Sequence, residues 1–264
     1  MRQSAARVAA RPRRSRAASI ALALGVLLGA RAACAATPDE LADAEAKAEY
    51  AYFTEDGRAL ERLVESLAPL SGSNDPIELY AYAHAEFRRL QLASLAHAER
   101  AAQVSGVSCI DALERRAEKH HDAEGLALEA ACAGYLAAQG RLAHLTAGHR
   151  RDVSLAAARE LAPDNPRVEL VGALIDWFRS DAPPAARQAA RAAFGRAAAA
   201  FDTVAASAPG EPTWGAAESW LFVARGLEED GDLVGARSAY ERALLVAPDF
   251  AAARRGLTRL ATHR

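Results

Sequence analysis

The sequence predicts an all-α protein in which helices stack as antiparallel pairs. Alanine, leucine and arginine are abundant, whereas only 17 glycines and 11 prolines occur in 264 residues. Such a composition favours helices over sheets. Apolar side chains recur at helical spacing between short polar turns. In three of these helical segments, side chains of matching size recur at intervals of four and three residues, which indicates one packing unit used several times.

Residues 216–249 form the clearest of these units, as two helical segments around a turn at Gly231 and Asp232. Alanines stand where the two antiparallel segments approach closely, and aromatic side chains stand where the pair contacts its neighbours. The positions that carry the pattern are Trp220, Val223, Ala224, Leu227, Ala236, Tyr240, Ala243 and Pro248. This spacing resembles the tetratricopeptide repeat (TPR).

The resemblance implies a right-handed TPR-type α-solenoid of about five antiparallel helix pairs plus a C-terminal capping helix, covering residues 37–264. One pair cannot bury its own apolar faces, so neighbouring pairs are expected against it. Proteins of this kind usually bind proteins or peptides on the concave face of the superhelix, which the first helix of each pair lines.

Capping signals predict where helices begin. Thr37 followed by Pro38 and Glu40 is typical of a helix start, because the threonine and the acid can exchange hydrogen bonds with main-chain amides of the first turn. Asp75 with Glu78 repeats this signature and predicts the start of the third helix.

Two interruptions are expected within helical segments. Ser105 and Gly106 are expected to end one long helix, with the next helix starting near Ser108. Residues 140–149 are expected to form a loop, because this stretch is longer than the tight turn of a regular repeat.

The expected loop contains a candidate binding site. Thr146, Gly148, His149 and Arg150 offer main-chain amides, a hydroxyl and cations that suit an anion or the tail of a partner protein. An ordinary solvated loop is the alternative. His144 and His149 alone are too few ligands for a metal ion, so no metal site is predicted.

A second candidate site follows from the register of residues 216–249. Carrying that register to the neighbouring units points one set of side chains towards the concave groove. The set consists of Arg167, Leu170, Leu174, Trp177, Leu221 and Arg225. An apolar floor with a few guanidinium groups suits an extended peptide or an amphipathic helix with an acidic flank. The alternative is that these residues are ordinary core.

Cys109 and Cys132 are candidates for a disulfide. They are equally distant from the helical corner at residues 120–121, so they are expected at similar heights on neighbouring helices. An oxidising compartment permits the bond. The alternative is a pair of small apolar side chains in the helix interface.

The first 36 residues have the layout of a bacterial signal peptide. Six arginines lie within residues 2–16, an apolar run follows at 17–30, and small residues precede the expected cleavage after Ala35 or Ala36. The apolar run is shorter than the about 20 residues that a membrane span needs. A periplasmic or secreted protein is expected; lipid attachment through Cys34 is the alternative. General secretion is favoured over twin-arginine export.

Charge and motifs exclude several classes of function. Residues 1–36 contain seven arginines and no acidic residue, so the mature chain has a net charge of −9, the wrong sign for a nucleic-acid groove. The mature chain is expected to lack a transmembrane segment. It displays no phosphate loop, CxxC or Ser-His-Asp set with supporting context, so neither a cofactor nor enzyme activity is predicted.

The sequence therefore predicts a non-enzymatic scaffold or adaptor that binds a protein or peptide in the bacterial cell envelope. A periplasmic small-solute-binding component associated with a transporter is the alternative, and a closed pocket of ligand size would favour it. Residues 160–168, with Thr146 and Gly148 before them, resemble a group of exported bacterial repeat proteins. That resemblance implies the fold and the envelope location, but no activity.

Overall fold

The computed structural model describes residues 36–179, 183–203 and 212–262, with the side chains of residues 141–144 outside the description. Residues 1–35 of the expected signal peptide, including Cys34, lie outside the described residues. Within the described residues the regular structure is helical, without a strand. The predicted all-α class is confirmed.

Eleven α-helices occur in the described residues. They are α1 (Pro38–Phe53), α2 (Gly57–Leu67), α3 (Pro76–Leu95), α4 (Glu99–Ala117), α5 (Ala123–Ala137), α6 (Arg141–Leu161), α7 (Pro166–Phe178), α8 (Pro184–Phe201), α9 (Ala216–Glu229), α10 (Leu233–Val246) and α11 (Ala251–Thr262). A 3-10 turn, Ala68–Gly72, follows α2. Successive helices from α1 to α10 pack in adjacent pairs, and α11 packs on α10.

Three of the turns within pairs share one backbone design. Three residues separate α1 from α2, α3 from α4, and α9 from α10. The middle residue of each turn has positive φ, with values of 57° at Glu55, 54° at His97 and 80° at Gly231. A left-handed residue ends the first helix of the pair and turns the chain back, so the second helix packs beside it.

Side-chain caps start many of the helices. Thr37 and Glu40 form the predicted capping box at α1. Asp122 accepts a hydrogen bond from the Gly125 amide at α5, and Asn165 accepts from the first-turn amides of α7. These caps satisfy amides that have no partner within the helix.

Ser105 and Gly106 do not interrupt a helix, so that prediction is wrong. Helix α4 runs through both residues. A Cβ atom added to Gly106 would lie 2.6 Å from the side chain of Leu136 on α5. The glycine is needed because two helices approach closely at this point, not because the helix ends there.

The recurring size pattern is buried in each helix that carries it. In α10, α8 and α6 the side chains of Ala236, Tyr240, Ala243, Ala190, Phe194, Ala197, Leu155 and Ala158 all lie in the core. Tyr240 fits closely, since a Cβ atom on Gly256 would lie 2.4 Å from its ring. The pattern therefore marks packing between helices, as the sequence predicts.

Helix α1 and the turn after it contact C-terminal parts of the chain. The rings of Phe53 and Phe250 lie 4.7 Å apart between centroids, and Arg255 forms an ion pair with Glu55 at 2.5 Å. Glu45 accepts hydrogen bonds from the main-chain nitrogen and hydroxyl of Thr213 at 2.7 and 2.9 Å. These contacts join residues up to 200 positions apart. Segments near the two ends of the helical domain are therefore in contact.

Candidate functional site

Most of the predicted groove residues are core residues. Arg167, Leu170, Trp177 and Leu221 are buried, which contradicts their placement on an accessible groove floor. Leu174 and Arg225 are half-buried and keep contact with solvent. The register carried from residues 216–249 did not foresee how closely the helices that carry these residues pack.

Arg167 shows why an arginine is buried there. Its Nε donates to the carbonyl oxygen of Trp214 at 2.9 Å, another nitrogen donates to the carbonyl oxygen of Pro212, and Glu124 lies 3.2 Å away. The guanidinium group thus holds the segment before α9 against α7. It stabilises a connection and is not available to a partner.

The predicted loop at residues 140–149 is helical, because α6 begins at Arg141. The residues Thr146, Gly148, His149 and Arg150 therefore lie on a helix, and the prediction of a loop site is wrong. Their polar character belongs to the outer face of α6, where Thr146 and His149 are exposed. Arg150 is engaged by Glu114 and by Glu129.

Cys109 and Cys132 form a disulfide in the structure, with an S–S distance of 2.07 Å. Both residues are fully buried and join α4 to α5. The bond closes a segment of 23 residues, and it sits on the same helix interface as Gly106 and Leu136.

A buried ionic cluster that the sequence analysis did not identify connects α1, α3 and α9. We call it the Arg88 cluster, and it consists of Glu49, His84, Arg88, Gln91 and Glu218. Arg88 is fully buried and its guanidinium group contacts Glu49 at 2.5 and 2.7 Å, Glu218 at 2.6 Å and Gln91 at 2.7 Å. His84 Nε2 lies 3.0 Å from Glu49 Oε1. One guanidinium group therefore links three helices that are far apart in sequence.

Aromatic rings surround this cluster. The guanidinium carbon of Arg88 lies 4.2 Å from the centroid of the Tyr52 ring. His84 lies between Tyr80 and Trp214, with ring centroids 6.5 and 6.4 Å away, and Trp214 Nε1 donates to the Tyr80 hydroxyl at 2.9 Å. Rings exclude water, which strengthens the ionic contacts inside.

The electrostatics of the cluster fix the charges of its members. Burial alone would raise the pKa of Glu49, but the charge of Arg88 and the contact with His84 outweigh it and lower that pKa to about 2. Burial would lower the pKa of Arg88, yet Glu218 and Glu49 raise it above its ordinary value. Burial raises the pKa of the Tyr52 hydroxyl, and the charge of Glu218 adds to this effect. Glu49 and Arg88 are therefore charged at neutral pH.

A sequence signal for the cluster exists. His84, Arg88 and Gln91 fall on the apolar stripe of α3, next to Phe87 and Leu90, and polar residues in such a stripe are seldom buried without partners. The partners Glu49 and Glu218 lie 39 residues before and 130 residues after Arg88. Local spacing could not identify them.

Arg225 on α9 has a different environment. We define the Arg225 patch by Phe178, Phe222 and Arg225. The guanidinium carbon of Arg225 lies 4.9 Å from the centroid of the Phe222 ring, and that ring meets Phe178 edge to face at 5.7 Å. Phe178 is 63% exposed. The patch is therefore a cation beside an accessible apolar surface.

Arg225 is half-buried, yet no described carboxylate pairs with it. Every other arginine that is at least partly buried, and whose side chain is described, forms an ion pair with a described acid. Arg225 also acts electrostatically on Tyr135: burial raises the pKa of the Tyr135 hydroxyl, while Gln91, Arg88 and Arg225 oppose the increase. The guanidinium group retains its hydrogen-bond donors for a carboxylate.

A shallow surface depression of about 480 Å³ lies between α1 and α2. Tyr50, Lys47, Arg62 and Leu63 contribute to its walls. Its floor consists of alanine side chains, and it contains no acid that could bind a cation. Nothing in its geometry selects one ligand.

Two comparisons of the sequence with known proteins give no match. The chain matches no model of a protein family, and no curated protein matches its sequence. Among the described residues, no helix is both long enough and apolar enough to cross a membrane.

Proposed function

We propose that this chain is a non-enzymatic, TPR-type binding scaffold of the bacterial cell envelope, and that it binds an acidic segment of a partner protein at the Arg225 patch. The observation that carries the proposal is the environment of Arg225. A sheltered guanidinium group without a described acid lies over the Phe222 ring, and that ring contacts the exposed Phe178.

The repeat interpretation has two physical supports. The alternation of small and large side chains is buried in α6, α8 and α10 alike. The turns at Glu55, His97 and Gly231 also reuse one backbone conformation. A recurring helix pair with recurring turns is what a repeat scaffold requires.

The chemistry of the patch favours a carboxylate with an apolar neighbour. A guanidinium group can bind a carboxylate through two parallel hydrogen bonds. The Phe222 ring holds one face of that group, so less side-chain freedom is lost when a ligand binds. Phe178 offers a large apolar surface of the kind that anchors protein interfaces. An acidic residue close to an apolar side chain in the partner would fit both features.

Affinity capture from the cell envelope tests this proposal with a matched pair of variants. Wild type, Arg225→Gln and Arg237→Gln would each be used as bait, and the captured proteins quantified by mass spectrometry. Arg237 is an exposed arginine on α10 without a described acid partner. A charge-assisted hydrogen bond contributes about 1.5–3 kcal/mol, so we expect at least tenfold weaker capture of a partner by Arg225→Gln only. Equal capture by all three baits would contradict the site.

One second candidate is a periplasmic small-solute-binding component of a transporter. Phe53, Glu55 and Glu45 bring α1 and the turn after it onto the C-terminal part of the chain, and small ligands commonly bind where distant helices of one domain meet. Native mass spectrometry of the protein from its own cells distinguishes the two candidates. A retained small molecule, together with no enriched protein, would replace the scaffold proposal.

A further inference from the structure

The main-chain nitrogen of Ala36 donates a hydrogen bond to Glu78 Oε1 at 2.7 Å. Glu78 belongs to the first turn of α3 and is 5% exposed. Its other oxygen, Oε2, accepts a hydrogen bond from the hydroxyl of Ser73. The packed unit that contains α3 begins at Ala36. A buried carboxylate therefore receives the first main-chain nitrogen of the helical domain.

Glu78 does not accept the capping hydrogen bond that its position in the first turn predicts. An acid at this place in the first turn ordinarily accepts from the main-chain amide of its own cap residue. In α3 the amide of Asp75 donates instead to Ser73 Oγ at 2.9 Å. The side chain of Glu78 is directed to Ala36, which precedes it by 42 residues.

Within the described residues, Glu78 has no ion pair with a lysine, arginine or histidine. Its partners there are an amide and a hydroxyl, both of them neutral. Burying a carboxylate without an opposite charge is unfavourable. The contact would be more favourable if the nitrogen of Ala36 carried a positive charge.

We propose that the leader is cleaved between Ala35 and Ala36, and that the new α-ammonium group of Ala36 forms an ion pair with Glu78. A leader peptidase would hydrolyse the bond between the Ala35 carbonyl carbon and the Ala36 nitrogen. Water supplies the hydroxyl group that completes the Ala35 carboxyl group and the proton that leaves an amine on Ala36. Such amines have a pKa of about 7.7–8.0 and are largely protonated at neutral pH. Cleavage thus converts a neutral donor into a charged one.

The sequence and the structure favour this bond over the next one. Ala33 and Ala35 supply the small residues that a leader peptidase requires before its cleavage site. Cleavage after Ala36 would place the charge on Thr37, whose nitrogen already donates to the exposed Glu40 at 2.8 Å. That product would lack Ala36, so the buried Glu78 would keep only the hydroxyl of Ser73 as a partner among the described residues.

The ion pair would couple export to the final packing of the domain. Ala36 lies two residues before the start of α1, and α1 carries Glu49 of the Arg88 cluster and Phe53, which contacts Phe250 just before α11. Fixing the new N-terminus on α3 would hold the start of α1 in place. The leader-bearing chain would lack this charge, so its α1 would be held less firmly.

N-terminal sequencing and intact-mass analysis of the protein exported by its own cells test the cleavage. We expect a chain that begins with an unmodified Ala36. A chain that begins at Thr37, or at a lipid-modified Cys34, would overturn the proposal.

A cycle of four chains tests the ion pair. Chains that begin at Ala36 and at Ala35 would be made with and without Glu78→Gln, because the extra residue moves the ammonium group away from Glu78. We expect Glu78→Gln to lower the melting temperature of the Ala36 chain by about 2–4 °C more than that of the Ala35 chain. An equal decrease in both chains would overturn the proposal.

Two controls separate charge from packing. Acetylation of the Ala36 amine leaves Glu78 in place and removes only the positive charge, so it is expected to lower the melting temperature by a similar amount. Glu65→Gln changes an exposed acid on α2 and is expected to have the same small effect whichever residue begins the chain. An acetylated Ala36 chain as stable as the unmodified one would contradict the ion pair.

Discussion

Arg88 on α3 and Arg225 on α9 lie in the same domain, and their environments are opposite. Arg88 is fully buried, with Glu49 and Glu218 within 2.7 Å of its nitrogens. Arg225 is half-buried, rests on the Phe222 ring and has no described acid partner. The same side chain can therefore hold helices together in one place and remain available in another.

The difference teaches that residue type and helical register do not separate structural arginines from binding arginines. Two carboxylates beside one guanidinium group satisfy it so fully that an external ligand would have to displace a buried ion pair. A guanidinium group without an acid partner keeps N–H donors that an external ligand can use. The partners, rather than the face of the helix, determine the role.

The largest expected effect is the loss of stability in Arg88→Met. Removing one partner of a buried ionic group leaves an uncompensated charge and costs about 3–5 kcal/mol. The free energy of unfolding would be measured by denaturant titration. The combined variant Arg88→Met/Glu49→Gln/Glu218→Gln leaves no charge unpaired and is expected to regain part of the loss. An Arg88→Met variant as stable as wild type would remove the contrast with Arg225.

Tyr240→Ala is expected to cost about 3–5 kcal/mol, because a large buried aromatic side chain leaves a cavity when it is truncated. Tyr240 is fully buried against Gly256, and its hydroxyl donates to Glu228 at 2.8 Å. Thermal unfolding of Tyr240→Ala would be compared with thermal unfolding of Arg225→Ala. We expect a large loss of stability only when the buried tyrosine is removed. Equal losses in the two variants would contradict the half-buried, unpaired state of Arg225.

Acid stability should report the charge of Glu49. Its folded pKa of about 2 lies below its ordinary value of 4.5, so the stabilisation is present above pH 4.5 and disappears as the pH falls towards 2. The loss in this window should be on the order of 3 kcal/mol. Unfolding measured at several pH values should show a smaller loss for Glu49→Gln than for wild type. Glu61→Gln, an exposed acid on α2, should retain the full loss.

The sequence predicted the fold better where the determinants are local. The cap at Thr37 and the buried alternation around Tyr240 depend on residues within one or two turns, and both occur in the structure. The helix end predicted at Gly106 is wrong, because the sequence does not distinguish a glycine that permits close packing from a glycine that ends a helix. The polar stretch around His149 also resembled a loop, although it is the exposed face of α6.

The candidate site was harder to predict because it depends on contacts between distant segments. Trp177 and Leu221 were expected in a groove and are core residues, since neighbouring helices cover them. The pairing of Arg88 with Glu218 spans 130 positions, so no local spacing indicates it. Arg225 was expected on the groove and is half-buried, but its isolation from carboxylates is visible only in three dimensions.

The smallest expected effect on stability belongs to Arg225→Gln. Arg225 forms no ion pair with a described residue, so its replacement should change the free energy of unfolding by less than about 0.5 kcal/mol. Thermal unfolding and capture of the partner would be measured on the same preparation. Binding should fall at least tenfold while the melting temperature stays within about 2 °C of wild type. A clear loss of stability would mean that Arg225 has a structural role like that of Arg88, and the Arg225 patch would then no longer be a candidate site.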